Sequence, residues 1–204
     1  MTRLFVVLFA SLLAASCTIV RTNVAVTHML PAGAAKTVAI VPYTENLAMA
    51  PDYQANTQKL AAQLRSKGFN VVPQQGTADY IAYFIYRIDN GTVVNQFEGR
   101  PAPFVGSITT YGLRTAFSTS TRRIYMRSVT VEIVDRARFQ PNMPATYLAA
   151  RVYSGSVVSD GPCTMAVVID PMLNALFADF PGQSGQLRAI NVPADTTCGL
   201  DRFG

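Results

Sequence analysis

The chain has 204 residues, of which 50% are hydrophobic and only 14% charged, with a formal net charge of +5. That balance excludes a disordered chain and supplies enough apolar side chains for one well-packed domain. With one histidine and three cysteines, a zinc site of three or four His, Cys or carboxylate ligands has no cluster to draw on, and no metal or cofactor is expected.

Arg3 precedes an apolar run from Leu4 to Ala10, and Leu12-Leu13-Ala14-Ala15-Ser16 leads into Cys17. The run is shorter than the about 20 apolar residues of a membrane span. Residues 1–16 therefore read as an export signal, outside the fold. Two cleavages fit. The small residues before Cys17 suit lipoprotein processing, which leaves Cys17 as the acylated first residue. Ala14-x-Ser16 also suits ordinary signal peptidase, which leaves Cys17 unmodified. A cysteine directly at the cut makes lipidation the expectation. Thr18 stands where an aspartate would mark inner-membrane retention, which points to the outer membrane, facing the periplasm. Residues 17–21 are expected to be a short lipidated linker, and 22–204 a single domain held against the bilayer. With Cys17 acylated, Cys163 and Cys198 are left, and an oxidising compartment favours a disulfide between them. Closing ~34 residues would contribute about 3–4 kcal/mol. The alternative is two reduced core thiols.

Thr22 to Met29 alternates polar and apolar and predicts a strand. Lys36 to Tyr43, with Val38-Ala39-Ile40-Val41 at its centre, predicts a buried strand. Tyr53, Thr57, Leu60, Ala61 and Leu64 share one face of a helix over 52–67, opened by Pro51 and closed by Gly68. Phe69 to Val72 completes a strand–helix–strand crossover. Tyr80 to Ile88 is apolar on both faces and should be a central strand. Asp89-Asn90-Gly91 then predicts a tight hairpin turn, with Thr92 to Phe97 as the return strand. Residues 98–118, broken by Gly99, Pro101, Pro103, Gly106 and Gly112, predict a loop or mobile hairpin.

A long strand is predicted over 119–135. Ile124 and Met126 are apolar at even positions, and Val129, Val131 and Ile133 at odd ones. That change of parity predicts a bulge near Arg127–Ser128. After a turn from Asp135 to Pro144, Thr146 to Val158 predicts the partner strand. Met165, Val168, Met172 and Leu176 predict a last helix over 164–179 with Pro171 inside it, kinked there, and Leu187 to Val192 a final strand. The fold class is α+β: an antiparallel-rich mixed sheet of about six to eight strands with two main helices packed on one face.

Four of these segments carry a resemblance. Leu64-Arg65-Ser66-Lys67-Gly68-Phe69, Ala78-Asp79-Tyr80-Ile81-Ala82-Tyr83, Val129-Thr130-Val131-Glu132-Ile133-Val134-Asp135 and Leu176-Phe177-Ala178-Asp179-Phe180-Pro181 follow one another as in a family of small bacterial envelope lipoproteins with a domain of unknown function (DUF4136-like). The chain resembles that family over most of residues 22–181. It departs in a longer 135–146 connection, a tail beyond Pro181 and the cysteine pair. The resemblance implies an anchored α/β envelope domain and no catalytic residues.

Little in the chain points to catalysis. A Ser-His-Asp or Cys-His site would have to use His28, which reads as an ordinary strand histidine. Asp79, Asp89, Glu132 and Asp135 could meet as an acid–base pair, but all except Glu132 sit at strand ends or turns, where capping explains them. Arg122, Arg123, Arg127, Arg136, Arg138 and Arg151 lie on adjacent predicted strands, with Tyr125 and Tyr153 interleaved. They form either a candidate anion-binding face or a sheet edge protected by charge. The expected function is a non-enzymatic, membrane-anchored accessory or interaction module of the envelope, meeting envelope proteins or anionic lipids and no nucleic acid. The second reading is a periplasmic binding protein for a lipid or other apolar or anionic ligand, and the third is a hydrolase.

Overall fold

The computed structural model describes residues 18–30, 36–101, 115–140, 143 and 145–194. In chain order the elements are β1 (Thr18–His28), β2 (Thr37–Pro42), α1 (Glu45–Ala48), α2 (Tyr53–Ser66), β3 (Asn70–Val71), β4 (Tyr80–Ile88), β5 (Thr92–Pro101), β6 (Thr115–Asp135), α3 (Ala145–Ala150), β7 (Arg151–Gly161), α4 (Met165–Phe177) and β8 (Leu187–Ala194). The strands form one mixed, mostly antiparallel sheet in the order β3-β2-β4-β6-β7-β1-β8, with β5 paired to β6. The α+β class read from the sequence is the observed one.

Alternation along each strand decides which face meets the helices. Val24 and Val26 of β1, Ala82 and Phe84 of β4, Val129, Val131 and Ile133 of β6, and Val157 of β7 are buried together with Leu60 and Leu64 of α2 and Val168, Met172 and Leu176 of α4. The helix α4 lies across β1, β6, β7 and β8 and also touches α2. It runs unbroken through Pro171. Every described strand and helix, and the core between them, lies within residues 18–194, so the chain from Thr18 onward carries the whole described fold.

Four expectations are corrected. The first is the 17–21 linker. Thr18 already belongs to β1, because β8 pairs with it from Thr18↔Ala194 to Ala25↔Leu187. The pairing partner lies about 170 residues away and leaves no trace in local pattern.

The second is the Asp89–Gly91 hairpin. β5 does not fold back on β4. Both strands pair with β6, end to end: Ile88↔Arg127 closes one ladder and Thr92↔Ile124 opens the next. Three residues of one strand thus face two of the other. This is a one-residue bulge, and Gly91 supplies its positive φ of 72°. The Asp89 carboxylate fixes it by accepting from Gly91 N at 3.0 Å and from Met126 N at 2.9 Å. The Asn-Gly signal for positive φ was real, but bulges use it as well as turns. Consequently, part of the expected 98–118 loop is strand, with 102–114 outside the described residues.

The third is the bulge expected at Arg127–Ser128. β6 keeps register with β4 from Arg127 to Asp135 and with β7 from Tyr125 to Ile133, and the shift falls at Ile133/Val134 instead. The inward parity simply continues through Arg127, which is 2% exposed. A charged residue occupies the next inward position, and Met126 stays outside. The fourth is the start of the strand expected at Thr146. Residues 145–150 form α3, as suits Ala145, Leu148, Ala149 and Ala150, with Thr146 Oγ1 donating to Met143 O at 2.7 Å. The strand begins at Arg151.

Candidate interaction surface

The face of the sheet turned away from α2 and α4 has two unlike halves. Toward β2 it is covered: Ala39, Ile81 and Val134 are buried. There Phe139 and Tyr147 pack around Tyr83, with ring centroids 6.5 and 5.7 Å from it, and Tyr43 sits 6.1 Å away on another side. Glu132 anchors this cover. It accepts from Arg151 Nη1 at 2.7 Å, from Ser154 Oγ at 3.3 Å and from the Tyr147 hydroxyl. Its side chain is 13% exposed.

Across β6, β7 and β1 the same face has no covering element among the described residues. The register aligns Thr130 with Ser156 and Ala25, and Ser128 with Val158 and Asn23. These side chains are small and mostly uncharged, and Val158 is 37% exposed. Together they make a partly exposed platform beside the aromatic cover, with Asn23, Ala25 and Val158 exposed and Ser128, Thr130 and Ser156 half-buried.

The six arginines read as one face do not form one. A 21-residue strand separates Arg122 from Arg136 by roughly 45 Å, and alternation sends neighbours to opposite faces. Arg127 points inward, donating from Nη1 to Cys163 O at 2.8 Å and from Nη2 to Ser159 Oγ at 3.0 Å. Arg136 Nε donates to Ala78 O at 2.6 Å. Arg138 pairs with Asp135 at 3.5 Å, and Arg151 pairs with Glu132. Arg122 and Arg123 lie beyond the end of the sheet, on the part of β6 paired only with β5. Tyr125 is nearby, while Tyr153 is a core residue.

The remaining candidates have structural partners. His28 bonds through Nε2 to Gly182 O at 3.0 Å, and its backbone N–H donates to Ser184 Oγ at 3.2 Å. Asp79 accepts from both the N–H and the hydroxyl of Thr37 at 2.9 Å, bonds that hold its carboxyl below the usual range. Asp135 caps a turn at Ala137 N. Among the described residues no three of His, Cys, Asp and Glu come together as a metal site. Cys163 is buried, whereas Cys198 lies outside the described residues. Cys17 lies outside them too. Sequence reading missed the Glu132–Tyr147–Arg151 arrangement. Its one visible signal was a glutamate set between Val131 and Ile133, on the opposite parity to the core.

Five phenols among the described residues resist ionisation. Burial and the Asp52 carboxylate push Tyr86 up to about 12. Burial raises Tyr53, Tyr83 and Tyr153, and burial with the Glu132 carboxylate raises Tyr147. The folded state thus keeps protons that the unfolded chain releases above about pH 10. Stability is full below that pH and falls as pH rises toward 12. Absorbance at 295 nm should show these tyrosines ionising steeply, together with loss of the far-UV dichroism, above about pH 11. Their smooth titration near pH 10 with the fold intact would contradict this.

No family model matches the chain, and no curated protein matches it. Among solved structures, a PDZ domain protein from Parabacteroides distasonis ATCC 8503 is similar over 86% of this chain, with a TM-score of 0.48 and 10% identity. This chain covers only 39% of that protein's length. Two structures of the PelC dodecamer from Paraburkholderia phytofirmans are similar over 80% and 81% of this chain and 99% of their own, with TM-scores of 0.40 and 0.42 and identities of 18% and 16%. At these identities and TM-scores the likenesses say nothing of what the chain does.

Proposed function

We propose that this chain is an exported bacterial envelope lipoprotein, acylated at Cys17 and held at the outer membrane facing the periplasm. In this reading it acts without catalysis, as an accessory module that docks a protein partner on the platform half of its sheet. The observation that carries it is the asymmetry of the sheet. One face is closed by α2 and α4, and the other offers Asn23, Ala25, Ser128, Thr130, Ser156 and Val158 side by side. The space between sheet and helices is filled by Phe84, Leu60, Ile133, Ile169 and Leu176, each at 0–1% exposure. That packing favours a surface partner over a lipid held inside.

The Cys163–Cys198 disulfide belongs to the same proposal. It would fasten the C-terminal tail beside the start of α4, in keeping with an oxidising compartment.

Intact-mass analysis of the protein from membranes should show an acyl adduct on a chain starting at Cys17, and no thiol open to alkylation before reduction. A photo-crosslinker at Asn23 or Ser128 should capture one partner, with capture lost in Ser156→Arg. A crosslinker just past the end of α2, at the exposed Lys67, should capture none. A mature chain without acyl mass would sink the anchor. Equal capture from both positions would sink the docking face.

A further inference from the structure

The strand registers place one end of the sheet next to Cys17. Thr18 opens β1 and faces Ala194 at the end of β8. β7 finishes at Gly161, which pairs with Tyr125 of β6. From this same end β5 and the first half of β6 run on together, away from the body of the sheet. They form a ten-residue ladder from Thr92↔Ile124 to Pro101↔Thr115, roughly 30 Å long. Among the described residues no other strand accompanies them. An isolated two-stranded ribbon is marginal in water, and this one is open on both faces at its root, where Val93 is 56% and Val94 40% exposed.

The chemistry of this end differs from the opposite end. Ile19 and Met126 add 63% and 61% exposed apolar side chains to the same rim. Arg21, Arg87, Arg122 and Arg123 lie at the rim or on the ribbon root, and Arg21, Arg87 and Arg123 are exposed. Among residues with described side chains, the carboxylates on the open side here are Asp89 and Asp160. Asp89 is already engaged by two backbone N–H groups. At the opposite end Arg136, Arg138 and Arg151 are each tied to a carbonyl or carboxylate. Exposed arginine among exposed apolar side chains is the composition of a surface that meets anionic headgroups while its apolar groups reach the acyl boundary.

We infer that the β1-start end of the sheet, with the root of the β5–β6 ribbon, is a second membrane contact that binds an anionic lipid surface. The inference rests on the proposed anchor for its orientation: β1 begins one residue after Cys17, so an acyl chain there would bring this rim, and no other, against the bilayer. The lipid would hold the domain, and the rim would fix its orientation, leaving the platform turned sideways into the periplasm. Two weak membrane signals together give stable attachment where either alone is reversible.

The test uses residues 18–204, which carry the described fold and lack Cys17, with vesicles of phosphatidylcholine or of phosphatidylcholine with 30% phosphatidylglycerol. Sedimentation with the anionic vesicles alone is expected, weakened about thirtyfold by Arg122→Glu with Arg123→Glu, and abolished by 0.5 M salt. Arg138→Glu, at the far end, should bind like the parent. Circular dichroism checks that the double variant is folded. If it is not, Arg122→Gln with Arg123→Gln and the parent's salt titration decide the matter. No sedimentation, equal binding to neutral vesicles, or an equal loss in Arg138→Glu would overturn the inference. So would displacement by millimolar glycerol phosphate, which would make a free phosphate the ligand. Acyl mass on Cys17 without vesicle binding would defeat this inference and spare the anchor, and vesicle binding without acyl mass would do the reverse.

Discussion

Gly155→Ala should destabilise the protein by about 3 kcal/mol, lowering Tm by roughly 6–12 °C for a chain of this size. A methyl at Gly155 would stand 2.4 Å from Tyr153 Oη and 2.8 Å from both Tyr153 Cε1 and Leu176 Cδ1. None of these can retreat. Tyr153 and Leu176 are each 1% exposed, and the Tyr153 ring is held by Phe180 at 5.0 Å, itself stacked on Phe177 at 5.4 Å. The tyrosine lies back over the glycine two residues along its own strand, filling the volume that a side chain would take between the sheet and α4. Gly155→Val should cost more. Tyr153→Leu should relieve much of the clash, so the double variant should be more stable than the sum of the two single losses. Additive losses, or a Gly155→Ala protein as stable as the parent in urea unfolding, would refute this account of the core.

Arg127→Ala should cost about as much, near 3 kcal/mol, for a different reason. The guanidinium is buried beside Ser159, itself 3% exposed, and closes the outer end of the core. Burial lowers its pKa, opposed by the fields of Asp160 and Asp89. Removing it leaves the carbonyl of Cys163 and the hydroxyl of Ser159 buried without their donor, at about 1–3 kcal/mol each, and opens a void. Part of that loss is offset because a desolvated charge disappears. Arg127→Met keeps the volume and should therefore cost about half as much. Ser159→Ala, which removes one acceptor, should cost about 1 kcal/mol. Because Arg127 grips the loop between β7 and α4, hydrogen exchange should quicken around Cys163 and the first turn of α4 in Arg127→Ala. Unchanged exchange there, with stability intact, would show that the bonds at 2.8 and 3.0 Å hold nothing in place.

The two cases show where sequence reading succeeded and where it stopped. The helix of Tyr53–Ser66 and the strands Thr37–Pro42 and Tyr80–Ile88 fall within a residue or two of expectation. Each has a strong local period and clear end signals. Arg127 misled because an arginine at an inward position looks like a break in the apolar pattern. Nothing nearby in sequence shows that Ser159 and the Cys163 carbonyl wait for it. The arginine face failed for a related reason. Six like residues on neighbouring strands say nothing about parity over a 21-residue strand, and most of them found partners that only the fold supplies.

What the sequence determined by itself was the layered class and the main elements with periodic burial, because these depend on composition and on spacings of two or 3.6 residues. What the tertiary structure decided was pairing. It drew β1 back to Thr18 by laying β8 along it, straightened Asp89–Gly91 into a bulge, and sent β5 out along β6 as a ribbon. Strand pairing is a long-range contact whose energy lies in partners far along the chain. The end of the sheet that lies beside Cys17, and hence the surface proposed to meet the membrane, could therefore be read only after the strands had found one another.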